Sequence, residues 1–173
     1  MQSRAANLVT ERLSGWSPSP EAQQIVIWRV VQMFLARYGS VPLGQLLVSL
    51  TTVVLNEMGR APTVTELCEA TGLPKSSISR YISAQMEKGT VVETIDPQDR
   101  RRRMLNQTDA GKNERRWQSR QVRKILESVY DWDQVRAAGA EIDPDDELEA
   151  MKAVARGETT DQFLPGRKPG AAA

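Results

Sequence analysis

Histidine is absent from the 173 residues, and cysteine occurs once, at Cys68. The first absence excludes ordinary histidine-based zinc sites and His-dependent general-base chemistry. A single cysteine closes no disulfide within the chain. Aromatic residues make up only 5% of the chain. No apolar run reaches the roughly 18 residues of a membrane span, and the N-terminus lacks the basic start and apolar core of a secretory signal. The expected setting is the cytoplasm, with no membrane partner and no cofactor. The length suits one domain with a real core, or a small domain with long helical extensions, and no internal repeat is visible.

Net charge is also small, +1 from 23 Lys/Arg and 22 Asp/Glu, but it is segregated. Residues 75–124 hold 13 basic against 6 acidic side chains, a net +7, whereas residues 125–161 hold 3 against 11, a net −8. A basic belt beside an acidic C-terminal part fits a nucleic-acid binder whose total charge is neutral. Plain solvated faces would give the same totals, so the motifs must decide.

The informative stretch is Thr63 to Gly111. Thr63 followed by Glu66 is a capping-box pair, which starts a helix at Val64. Val64, Leu67 and Cys68 share one face of it, and Gly72 ends it after about two turns. A second helix follows Pro74 and runs to about Lys88, with Ile78, Ile82 and Met86 expected as its buried stripe. Its opposite face carries Ser76, Arg80, Ser83 and Glu87, flanked by Ser77 and Ser79. Small hydroxyls and one guanidinium let a helix approach base edges in a major groove, while Lys75 and the first-turn amides can meet a phosphate. Val91–Ile95 is then β-prone, Asp96-Pro97-Gln98-Asp99 is a turn, and Arg100–Gln107 is expected to return as a second strand. Four arginines, Arg100 to Arg103, then lie at or beside the hairpin tip. Asp99 is expected to bind Arg101 across the turn, leaving Arg100, Arg102 and Arg103 for phosphate or groove. Two short helices and a cationic hairpin make a winged helix-turn-helix.

These residues resemble the MarR-type transcriptional regulators. Asp96-Pro97-Gln98-Asp99-Arg100-Arg101, followed by Thr108-Asp109-Ala110-Gly111-Lys112, is similar to that family's wing signature, Asp-Pro-x-Asp-Arg-Arg leading to Leu-Thr-x-x-Gly-Arg/Lys. Leu73-Pro74-Lys75-Ser76-Ser77-Ile78-Ser79-Arg80 resembles its recognition-helix entry. Gln107 stands where the family usually has Leu, and Glu93 where a basic residue is common. The resemblance implies a dimer that binds double-stranded DNA as a regulator without catalytic activity. Lys75, Ser76, Ser77, Ser79, Arg80 and Ser83 would then serve as recognition-helix contacts.

Around this unit the chain reads as helices, so the expected fold is mainly α with a small β-hairpin wing and dimerisation helices at both ends. The expected divisions are a flexible arm (1–18), N-terminal helices (19–58), the winged unit (59–112), C-terminal helices (113–160) and a disordered tail (161–173). Ser19-Pro20-Glu21 starts a helix to about Tyr38. Its apolar set includes Ile27, Val30, Val31, Phe34 and Tyr38 but spreads beyond one stripe, as in a helix shared between subunits. Val41-Pro42 opens a helix to about Met58, with Leu43, Leu46, Leu47, Leu50, Val53, Val54 and Met58 as its expected inner stripe. Ala61 to Thr63 is a candidate extra strand. Thr108 caps a long helix to about Trp132, and Asp143-Pro144 caps the last one, with Gly157 as its stop.

Cys68 shares a face with Val64 and Leu67 and has no basic neighbour in sequence, which favours a structural thiol over a redox sensor. Trp28, Phe34 and Trp117 are the candidate lining for a small apolar or aromatic effector, although such residues more often pack in a core or interface. The carboxylates Asp143, Asp145 and Asp146 fit the first turn of a capped helix better than an enzyme site. The rival to a DNA-binding regulator is a winged helix used as a protein-interaction or assembly module in replication or plasmid maintenance.

Overall fold

The computed structural model describes residues 13–156. The tail expected at 161–173, most of the arm at 1–18 and the Gly157 stop therefore lie outside the described residues. Among the described residues the elements follow in the order α1 (Pro20–Tyr38), α2 (Leu43–Glu57), α3 (Val64–Thr71), α4 (Lys75–Glu87), β1 (Val91–Ile95), β2 (Arg103–Gln107), α5 (Asp109–Ala137) and α6 (Pro144–Ala155). The described chain divides into two compact units, one of residues 40–119, the other of residues 13–39 and 120–156. Among the described residues no single helix is long and apolar enough to cross a membrane.

In the first unit, α2, α3, α4 and the hairpin close one core of Val48, Leu67, Ile78, Ile82, Val91 and Leu105, with Val64, Cys68, Leu73 and Tyr81 packed against it. The capping box at α3 forms as expected: the Glu66 amide donates to Thr63 Oγ1 at 3.2 Å, and the Thr63 amide donates to Glu66 Oε2 at 2.8 Å. Gly72 ends that helix in the left-handed region (φ 69°), where a side chain would be strained. The strands pair antiparallel, with Val91 opposite Gln107 and Ile95 opposite Arg103.

Two expected stripes are corrected here. In α4 the inward residues are Ile78, Ile82 and Gln85, while Met86 is 41% exposed. Steps of four and then three follow the 3.6-residue period more closely than two steps of four. In α2 the buried residues are Val48 and Thr52, and Leu43, Leu47, Val54 and Met58 face outward. Apolar side chains occupy both sides of this helix, so periodicity alone does not choose a face. Thr52 is tolerated inside because its hydroxyl donates to the Val48 carbonyl at 2.8 Å.

The extra strand expected at Ala61–Thr63 reduces to one bond, from the Leu105 amide to the Pro62 carbonyl at 2.8 Å. Pro62 has no N–H with which to extend a ladder. Asn56 covers more of the same edge, donating to the Leu105 carbonyl at 3.0 Å and accepting from the Gln107 amide at 3.2 Å.

The second unit has a core of Ala22, Ile125, Val129 and Trp132, against which Trp16, Ile25, Val26, Val30, Met33 and Ile142 pack. Its polar centre is Asp133. This carboxylate accepts from Ser19 Oγ (2.6 Å), Trp16 Nε1 (2.8 Å) and the Ser19 amide (3.3 Å). Burial would raise its pKa, but these donors outweigh that and hold it below the ordinary value. Ser19 also caps α1, accepting from the Ala22 amide at 3.2 Å. On the other side of α1, Ile27, Val31 and Leu35 are 57%, 57% and 49% exposed. The long helix runs past the expected stop at Trp132 to Ala137, and Gly139 closes it by donating to the Arg136 carbonyl.

Candidate nucleic-acid interface

α4 presents a polar outer face because its apolar residues are committed to the core. Lys75, Ser76, Ser79, Arg80, Ser83 and Glu87 are exposed, and Ser77 is half-buried. No side chain caps the helix at Pro74; the Ser77 amide turns back to the Pro74 carbonyl at 2.9 Å, which leaves the Lys75 and Ser76 amides, among the described residues, to meet an anion. Arg80 is not loose. Its guanidinium lies over the Tyr81 ring, 5.2 Å from the centroid, and its Nη2 is 3.5 Å from the Tyr81 hydroxyl. Tyr81 in turn rests beside Gly44, where a Cβ would sit 3.4 Å from the ring.

The hairpin is seated by its base. The Thr108 amide donates to the Thr90 carbonyl at 3.1 Å, and the Thr108 hydroxyl donates to the Gly89 carbonyl at 2.6 Å. The same hydroxyl accepts from the Gly111 amide at 3.1 Å. Gly111 is buried, and a Cβ there would come within 2.2 Å of the Thr90 carbonyl oxygen. The Thr-x-x-Gly spacing therefore caps α5 and lets its first turn lie against the end of the hairpin.

The turn at the tip is longer than expected, since β2 begins at Arg103 rather than Arg100. Two aspartates keep the chain turning: the Gln98 amide donates to Asp96 Oδ1 at 2.9 Å, and the Arg101 amide donates to Asp99 Oδ1 at 3.0 Å. Asp99 thus stiffens the turn through the Arg101 backbone and not through its guanidinium. The four arginines also divide differently from expectation. Arg102 donates to Glu66 at 2.9 Å and lies 3.5 Å from Asp96, and Arg103 pairs with Glu93 at 3.4 Å. Arg100 and Arg101 are exposed and, among the described residues, their side chains enter no ion pair.

Glu66 is the busiest acid of the unit. It accepts from the Thr63 amide, from Arg60 at 2.8 Å and from Arg102 at 2.9 Å. The Thr63 amide first, then Arg60 and Arg102, pull its pKa from 4.5 to about 2 against the opposing effect of burial. The sequence shows Glu66 as a cap but not as a partner of Arg102, 36 residues away. Asp96 forms the turn as expected but also approaches Arg102, and Asn56 supports the hairpin from α2. For Asn56 the only signal is an amide side chain at the end of an otherwise apolar helix.

The candidate effector residues fall in different places. Trp28 is half-buried on α1, and Phe34 is buried and stacked on Tyr38 with ring centroids 5.8 Å apart. Trp117 is half-buried in the part of α5 that belongs to the winged unit.

The MarR family model matches residues 50–102, from the middle of α2 to the tip of the hairpin. Over those residues the winged unit is similar to the MarR family. That family consists of DNA-binding transcriptional regulators. Among solved structures, the chain is similar to the transcriptional regulator Tm0710 from Thermotoga maritima, at 20% identity over 81% of this chain and 94% of that one, with a TM-score of 0.52. It is also similar to RV1404 from Mycobacterium tuberculosis, at 15% identity over 88% and 93%, with a TM-score of 0.50. At these identities the likeness is one of fold. The comparison with curated proteins found no match.

Proposed function

We propose that this protein is a sequence-specific regulator of transcription that binds double-stranded DNA as a homodimer, acts in the cytoplasm and catalyses no reaction. The observation that carries this reading is the pairing of two surfaces in one MarR-type unit. One is the outer face of α4, with Arg80 held over Tyr81 among small hydroxyls; the other is a hairpin tip with Arg100 and Arg101 unpaired. Lys75, Ser76, Ser77, Ser79, Arg80 and Ser83 are the proposed major-groove and phosphate contacts. The wing arginines reach the adjacent backbone or minor groove, with Arg100 and Arg101 ahead of Arg102 and Arg103, which already hold carboxylates.

The dimer is supported by the outward row of Ile27, Val31 and Leu35, spaced four residues apart along α1. Apolar residues in such a row are suited to a second copy rather than to water. A twofold dimer reads a pseudo-palindrome whose half-sites are about one helical turn apart. Selection of bound duplexes from a random pool, followed by footprinting, tests the reading. Two inverted half-sites at that spacing support it, and a protein that retains no duplex at low salt favours the assembly-module alternative.

The effector class proposed is apolar or aromatic, with Trp28, Phe34 and Trp117 as the residues to vary. A thermal shift with aromatic acids, reduced by Trp28→Ala or Trp117→Ala, would support it.

A further inference from the structure

We infer that Glu66 is the positioning residue of the wing, acting through Arg102 to hold the hairpin tip in place relative to the helix-turn-helix. The inference rests on the DNA-binding reading above for its effect on binding, but not for its effect on the hairpin itself.

Five contacts build it. Glu66 Oε2 is fixed by the Thr63 amide at 2.8 Å, so the carboxylate is already oriented by the cap before any arginine arrives. Its Oε1 accepts from Arg102 Nη2 at 2.9 Å, and Arg60 approaches the same oxygen at 2.8 Å. The other terminal nitrogen of Arg102 lies 3.5 Å from Asp96 Oδ2, and the Asp96 amide donates to the Arg102 carbonyl at 3.0 Å. One guanidinium therefore joins the α3 cap to the neck of the hairpin, where β1 ends and the turn begins.

This is the outermost tie between hairpin and helices among the described residues. The other ties lie further down β2, at Leu105 and Gln107, through Pro62 and Asn56. Beyond Arg102 the turn is held only by its own bonds, from Gln98 to Asp96 and from Arg101 and Arg102 to Asp99. The strut is partly shielded, the Arg102 and Glu66 side chains being 36% and 25% exposed, so water competes less than at an open surface pair.

The strut makes a prediction opposite in sign to simple electrostatics. Glu66 is an acid beside a surface proposed to meet phosphate, and removing it frees two arginines. Charge alone predicts tighter binding to any duplex. A positioning role predicts weaker binding to the selected site, because Arg100 and Arg101 lose their fixed place.

The experiment compares wild type with Glu66→Gln, Glu66→Ala, Arg102→Met, the double variant Glu66→Gln/Arg102→Met, and Thr63→Ala, which removes the cap hydroxyl but leaves the strut. Without DNA, limited trypsin cleavage at Arg100 and Arg101 should quicken in both Glu66 variants and in Arg102→Met, but not in Thr63→Ala. With the selected duplex, affinity in the Glu66 and Arg102 variants should fall about tenfold, with the double variant no worse than either single one. Affinity of the two single Glu66 variants for an unrelated duplex should hold or rise. Equal cleavage rates in wild type and the Glu66 variants would overturn the inference. So would tighter binding of Glu66→Ala to the selected site, or an equal loss in Thr63→Ala, which would assign the effect to the helix cap. If wild type bound no duplex, the DNA-binding reading would fail while the cleavage rates still decided the strut.

Discussion

The two units of this chain are stabilised in different ways. The winged unit seats its wing on one core: six buried apolar residues come from three helices and both strands, and the exposed edge of β2 is taken up by Pro62 and Asn56. The helical unit gathers fewer buried residues around Ala22, Ile125, Val129 and Trp132, centres on a buried carboxylate, and leaves Ile27, Val31 and Leu35 facing outward. A finished core suits a part that must present a fixed surface. A second apolar side suits a part completed by another surface, and it occurs on α1 of the helical unit and also on α2 of the winged unit, where Leu43, Leu47, Val54 and Met58 face outward.

Removing a side chain from the finished core gives the largest expected effect. Leu105 is fully buried, and Leu105→Ala should cost about 2–5 kcal/mol in urea unfolding, independent of protein concentration. Next is Gly111→Ala. Alanine favours a helix over glycine by about 1 kcal/mol, but a Cβ 2.2 Å from a backbone oxygen cannot be relieved by rotating a side chain. The overlap should win, with a net loss of about 1–3 kcal/mol and a lower melting temperature. The helical unit should respond otherwise. Ile27→Ser with Val31→Ser should change stability by about 0.5 kcal/mol or less at high dilution, where exposed sites contribute little. Light scattering at micromolar concentration should show the dimer lost. If the double variant remains dimeric, the outward face of α1 is not the interface.

A further effect is on pH. Glu66 has its folded pKa depressed from 4.5 to about 2, so its contribution is fully present above the unfolded value and is lost as pH falls through the folded one. Wild type should lose stability relative to Glu66→Gln between about pH 4.5 and 2, and the two should run parallel above pH 6 in thermal melts. Divergence at neutral pH instead would contradict the assignment.

The same contrast explains what could be read in the sequence. Thr63 with Glu66 acts over three residues and formed as its spacing implied, and Thr108 caps the long helix as expected, through the Gly111 amide. The antiparallel hairpin and the helix starts at Pro20 and Pro144 are local in the same sense. Legibility failed where a choice depended on distant partners. α2 carries apolar residues on both sides, and only the packing of α3, α4 and β2 selects Val48 and Thr52 as its inner face. Met86 and Gln85 are adjacent, and one residue of phase decides which is buried. Among the wing arginines, spacing gave the cluster but not its division, because Arg102 finds Glu66 from far along the chain and Arg103 finds Glu93 across the hairpin.

The central claim is that one unit reads DNA with two distinct surfaces, and the most direct test is binding of the selected duplex by Arg80→Ala and by Arg100→Ala/Arg101→Ala over a range of salt. The account predicts that Arg80→Ala costs about 1–3 kcal/mol and relaxes preference at one base pair without changing the salt slope appreciably. It predicts that the wing pair weakens binding to most sequences and lowers the slope by about one to two units. Wild-type affinity, base preference and salt slope in both variants would contradict it.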